Sequence, residues 1–167
     1  VVRLLRIAVA LVVVGALGWL LAQAFFPSDK SRIQKLLTKL ERRANYPPTE
    51  SALVRIARIN QLAGMFDTNC VVIIDGLDQG GVTLTGRDDL LQRALALGGA
   101  GGVVSVTFPQ TAVTLQGGST QASAEVAATV RVGARGPDSL VLLRLGFEKL
   151  AGDWVITKVE TIKGPRM

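Results

Sequence analysis

The stretch Gln121–Val132, QASAEVAATVRV, decides the fold. Ala122, Ala124, Val126, Ala128, Val130 and Val132 fall on one side of an extended chain; Gln121, Ser123, Glu125, Thr129 and Arg131 fall on the other. Side chains alternate across a strand with a period of two, so this segment is a strand with one apolar and one wetted face. The pattern continues downstream. Val141, Leu143, Leu145 and Phe147 alternate through Leu140–Lys149, between the turns Gly136-Pro137-Asp138 and Ala151-Gly152-Asp153, and Trp154–Lys163 follows as the last strand. Upstream, Val103–Leu115 carries Val104, Val106 and Phe108 in one parity and Val113 and Leu115 in the other. The switch at Pro109-Gln110 predicts a bulge. Four long strands joined by short turns form an antiparallel meander.

Working back from that meander, the spacing changes. Ile33, Leu36, Leu37 and Leu40 recur at helical intervals and predict a helix over Ser28–Ala44, broken by Asn45-Tyr46-Pro47-Pro48. Thr49 is the expected cap of a second helix, with an apolar face of Leu53, Ile56, Ala57, Leu62 and Phe66. Val71–Ile74 and Val82–Thr85 read as short strands. A third helix spans Asp88–Leu97, with two carboxylates suited to its positive end, and a glycine run from Gly98 terminates it. Three helices available to cover a one-faced antiparallel sheet make an α+β layer architecture.

The N-terminus is different again. Residues 7–26 form an uncharged, strongly apolar run of 20 residues. As a helix it is about 30 Å long, the thickness of a hydrocarbon core. A secretory signal is the competing reading, with Ala22-Gln23-Ala24 as its small-x-small site, but signal cores are shorter. The expectation is a transmembrane anchor at 1–27 and a folded domain at 28–167. Arg3 and Arg6 place the N-terminus in the cytoplasm, so the domain is expected on the periplasmic side of a bacterial inner membrane. Lys30, Arg32 and Lys35 on the far side oppose that rule. Ala8, Gly15, Gly18 and Ala22 would let a second membrane helix approach closely.

The chain of 167 residues has a formal charge of +6, and the excess is local. Residues 28–66 carry +5, whereas 67–167 carry −1. Lys30, Arg32, Lys35, Lys39, Arg42 and Arg43 form a basic face just beyond the anchor, suited to anionic lipid or an acidic partner. Nucleic acid is not expected, since no aromatic residues interleave and no recognition motif is present.

Composition also excludes chemistry. There is no histidine, which removes Ser-His and Cys-His nucleophilic pairs and His-ligated metal. A single cysteine, Cys70, permits no disulfide framework and reads as a small buried hydrophobe. The loop Asp75–Gly80 lacks the ligand spacing and terminal Glu of a calcium loop. No metal or cofactor is expected.

The element order, Gly86-Arg87-Asp88 at the third helix and Gly152-Asp153-Trp154-Val155-Ile156 at the last hairpin resemble the NTF2-like (SnoaL-like, cystatin-like cone) superfamily over residues 28–163. The resemblance implies three helices on a curved sheet, with Trp154 covering its open end. Enzymes of that superfamily place acids and bases inside the cone. Here the expected inward faces are aliphatic, the only tyrosine is Tyr46, and Asp75 is the nearest candidate acid. The expectation is therefore a non-catalytic accessory or scaffold subunit of a membrane complex. Single-span components of secretion systems and Mce-associated membrane proteins of transporters have similar architecture. Its partners would be membrane lipid and other subunits, or a second copy through the sheet face. The alternative is an apolar ligand or lipid in a cone lined by Val104, Phe108, Ala122, Ala124, Ala128, Leu143 and Phe147. An isomerase or dehydratase is the third and weakest reading.

Overall fold

A computed structural model describes residues 28–45, 50–75, 81–99, 104–116, 120–132 and 137–162. The expected anchor, with Ala8, Gly15, Gly18 and Ala22, lies outside them, as do Tyr46 and Thr49. Among the described residues, no helix is long and apolar enough to cross a membrane.

Helix α1 is Asp29–Ala44, started by Ser28, whose hydroxyl accepts from the Ser31 N–H at 3.3 Å. Ile33, Leu37 and Leu40 share one stripe and are buried. Asn45 closes the helix: its Nδ2 donates to the Glu41 carbonyl at 2.8 Å. The same side chain exchanges two bonds with the Val106 backbone, at 2.9 and 2.7 Å, and so fastens this end of α1 to the sheet.

Helix α2 is Ala52–Ala63, capped by Ser51 rather than Thr49. Its buried residues are Ile59 and Ala63, while Leu53, Val54 and Ile56 are 80%, 52% and 45% exposed. The face expected from Leu53, Ile56 and Ala57 is thus the outer one. Two stripes of α2 satisfy a helical period; packing against α1 and the third helix selects the other. Phe66 belongs instead to strand β1, Phe66–Ile74, which starts well before the expected Val71. Asp67, Thr68 and Asn69 lie in an irregular part of its pairing, where the polar run hides the strand.

Strand β2 (Val82–Thr85) and helix α3 (Arg87–Gly99) follow, then β3 (Val104–Gln116), β4 (Gln121–Val132), β5 (Asp138–Leu150) and β6 (Asp153–Thr161). The sheet order is β2-β1-β6-β5-β4-β3. The meander β3–β6 is antiparallel as expected, but β1 lies parallel to β6, so the sheet is mixed. No tight turn joins β1 to β6, and local sequence carries no signal for their relative direction.

The bulge predicted at Pro109-Gln110 is present. Pairing passes from Thr107↔Thr129 to Gln110↔Ala127, leaving one extra residue on β3. Pro109 offers no N–H, which costs no ladder bond at a bulge on the outermost strand. A second irregularity falls between Gly146↔Lys158 and Phe147↔Ile156. It returns Val159 to the buried side after Trp154 and Ile156.

The turn motif at the start of α3 proves to be a fastening. Gly86 has φ +90°, and a Cβ there would stand 3.3 Å from the Thr68 carbonyl. Its N–H donates to the Cys70 carbonyl at 2.7 Å. Arg87 donates from Nε and Nη2 to the Phe66 carbonyl, at 2.9 and 2.5 Å. Asp89 accepts from the Thr85 N–H at 3.1 Å. The motif locks the start of α3 to the first half of β1, and its residues are spent on architecture.

Candidate functional site

Among the described residues, α1 packs its apolar side chains into the interior of the cone. Ile33, Leu37 and Leu40 of α1 share one apolar cluster with Ala122, Ala124, Val126, Leu145, Phe147 and Ile156. Of the residues expected to line a cavity, Ala122, Ala124, Ala128 and Phe147 are buried. Phe108 and Leu143 are half-buried against that cluster, and Val104 of β3 pairs with Val132 of β4. A notch of about 180 Å³ lies between α1 and β3, beside Leu37, Phe108 and Thr111. Cys70 is buried, and burial pushes its thiol above the ordinary range. Asp75 follows the end of β1, where its N–H donates to the Thr161 hydroxyl at 3.1 Å. That bond ties the backbone at Asp75 to the end of β6.

The basic residues of α1 divide. Arg32, Lys35, Lys39 and Arg42 are exposed and follow one another at steps of three and four, so they form one stripe opposite the buried one. Lys30 is exposed but lies off that stripe. Arg43 is turned toward α2 and donates to the Gln61 carbonyl at 3.1 Å.

Two grooves border the stripe. One, of about 480 Å³, runs between α1 and the β5–β6 turn; Arg32, Lys35, Leu36 and Lys39 face Gly152, Asp153 and Trp154. Arg32 reaches across it to the Gly152 carbonyl at 3.5 Å. The other, of about 340 Å³, lies between α1 and α2 beside Arg42, Arg43, Val54 and Arg58. Arg58 pairs with the Glu50 carboxylate and donates to the Asn45 carbonyl at 2.9 Å, which clamps the start of α2 to the end of α1.

One end of the first groove is fixed by a cluster that sequence reasoning missed. Asp29 accepts from Lys149 Nζ at 2.9 Å and from Trp154 Nε1 at 3.1 Å. Lys149 also stands 5.8 Å from the centre of the Trp154 ring. These partners lie 120 and 125 residues apart, so no local signal joins them. The hydrogen bond from Lys149, then that from Trp154, hold the Asp29 carboxyl below its usual range. A lowered folded-state value means stabilisation that is present above the unfolded value and lost as pH falls through the folded one. Thermal stability is therefore expected to drop below about pH 4, and Asp29→Asn to flatten that drop, as melting curves across acid pH would register.

The outer sheet face carries several charge pairs. Arg131 forms two parallel bonds with Asp138, at 2.7 and 2.8 Å. Arg144 bridges Glu125 at 2.9 Å and Glu160 at 3.7 Å, and Lys158 meets Glu160 at 2.6 Å. All are solvent-screened and individually weak. Leu140 and Leu142 are exposed next to them, at 70% and 40%.

No protein-family model matches this sequence, and no curated protein matches it. Solved structures do match its shape. Aln2 from a Streptomyces species superposes with a TM-score of 0.60 at 17% identity, over 83% of this chain and 92% of that one. An NTF2-like protein with a cystatin-like fold from Novosphingobium aromaticivorans gives 0.58 at 17% identity, over 85% and 86%. The domain has the NTF2-like fold. An NTF2-like protein of unknown function from Pseudomonas putida agrees, with a TM-score of 0.60 at 14% identity over 82% of this chain and 87% of that one. The superpositions show the fold alone, and the activity of the NTF2-like domain is argued from its own residues.

Proposed function

We propose that this chain is a non-catalytic, membrane-anchored accessory subunit whose NTF2-like domain makes protein–protein contacts in a membrane complex. The run at 7–26 would hold it in the inner membrane, with the domain on the periplasmic side. The observation that supports this most is the filled interior. Among the described residues the interior cluster contains no charged residue, and α1 supplies side chains that occupy the cone; the buried Glu50 side chain, 6% exposed, is paired with Arg58 beside α2 and lies outside that cluster. Function then falls to the outside. The sheet face with Leu140, Leu142 and the Arg144 pairs is open to another subunit or a second copy. The anchor would keep that face close to the bilayer, where other membrane subunits meet it.

Purification of the full-length protein in mild detergent, with mass determination and partner identification, tests this. Stable co-purification with other membrane subunits is the expected result. A lone monomer or homodimer carrying no partner would overturn the complex. The other reading, an apolar ligand in the cone, has the notch beside Phe108 in its favour. At about 180 Å³ it is smaller than ordinary small-molecule sites, which begin near ~300 Å³. Solvent extraction of the purified protein followed by mass spectrometry would recover such a ligand.

A further inference from the structure

We propose that the groove between α1 and the β5–β6 turn holds the headgroup of an anionic phospholipid from the leaflet next to the domain. The proposal rests on the membrane-anchor reading and adds a ligand to it.

Three cations line this groove, Arg32, Lys35 and Lys39, and they stand beside apolar Leu36 and Trp154. That pairing suits a lipid: a phosphate for the cations, and the first carbons below the ester groups for the apolar wall. Asp153 also lines the groove. Its carboxylate disfavours a multiply charged anion and can accept from a hydroxyl of a glycerol headgroup carrying a single charge. The volume, about 480 Å³, accommodates a headgroup with its glycerol backbone.

Chain length brings the groove to the membrane. Only Pro27 and Ser28 separate Phe26, the end of the apolar run, from α1. Two extended residues reach at most about 7 Å. Arg32 lies three residues into the helix, about 5 Å further along its axis. The interfacial layer of a bilayer is on the order of 5–8 Å thick on each side. Arg32, with its long side chain, and then Lys35 thus fall within reach of the phosphates, where the field of an anionic leaflet is strongest. The Asp29–Lys149–Trp154 cluster holds the β5–β6 strands against this same end of α1, so the groove keeps its shape at the surface.

The test uses the full chain with Trp19→Phe, which leaves Trp154 as its sole tryptophan. The protein is incorporated into nanodiscs of phosphatidylcholine mixed with phosphatidylglycerol, with one lipid or the other brominated on its acyl chains near the ester. Brominated phosphatidylglycerol is expected to quench Trp154 more strongly than brominated phosphatidylcholine at the same fraction. Arg32→Gln with Lys35→Gln, both at exposed positions, should erase the preference, at roughly five-fold in lipid selectivity per cation removed. An unchanged near-ultraviolet circular dichroism spectrum would show that the double variant is folded. Equal quenching by both lipids, or a preference that survives the double variant, overturns the proposal. Displacement of the quenching lipid by millimolar glycerol phosphate in the buffer would assign the groove to a soluble phosphate ester and overturn the lipid source. A chain that separates from the discs on gel filtration overturns the anchor reading itself and the proposal with it. A chain that stays in the discs without lipid preference overturns only the proposal.

Discussion

Trp154→Ala is expected to lower the stability of this protein by about 3–5 kcal/mol, the range for deleting a large buried aromatic side chain. Trp154 is 6% exposed and belongs to the main apolar cluster. Its indole N–H also donates to Asp29, so the substitution removes packing and a bond to a charged acceptor together. At about 2–4 °C per kcal/mol for a chain of this size, the melting temperature should fall by roughly 10 °C. Trp154→Phe separates the two contributions. It keeps most of the apolar surface and loses the donor, so it should cost a fraction of the alanine effect and diminish further in the Asp29→Asn background. Thermal melts of the three variants and the double variant measure this. A Trp154→Ala protein as stable as the parent would show that the last hairpin is not tied to the core.

Ala124→Leu distinguishes a filled cone from a hollow one. Ala124 is wholly buried, in the middle of β4, in the same cluster as Ile33 and Leu37 of α1. Added methyl groups in a close-packed interior force off-rotamer side chains or backbone shifts, at a cost of about 1–3 kcal/mol. The expected result is destabilisation of that size, measured by urea unfolding, with the slope unchanged. Were the cone to keep room for an apolar ligand, leucine would fill it, and stability would hold or rise. That outcome would favour the ligand reading over the scaffold reading.

The two variants probe positions that were legible in the sequence to different degrees. Alternation alone places Ala124 on the inward face, and the structure puts it there. Strand β4 pairs on both sides, and its ladder with β5 is regular throughout, so a period of two survives intact. The family resemblance implies that Trp154 covers one end of the sheet, but its partners Asp29 and Lys149 are not foreseeable, because a polar contact across most of the chain leaves no spacing to read. The same limit governs the basic face. Six cations on α1 are visible as a group, yet only the helix's packing separates the exposed stripe of Arg32, Lys35, Lys39 and Arg42 from Arg43, which is spent on the Gln61 carbonyl.

By itself the sequence determined what is local and periodic: the strand faces, the bulge at Pro109, the stripe of Ile33, Leu37 and Leu40, and the absence of histidine chemistry. Each follows from the backbone's own repeat or from what a residue type can do. Tertiary structure decided the parallel seam between β1 and β6, which face of α2 is buried, and the groove built where α1 meets the last hairpin. These depend on which distant surfaces remove the most apolar area from water together, a choice that no single segment carries.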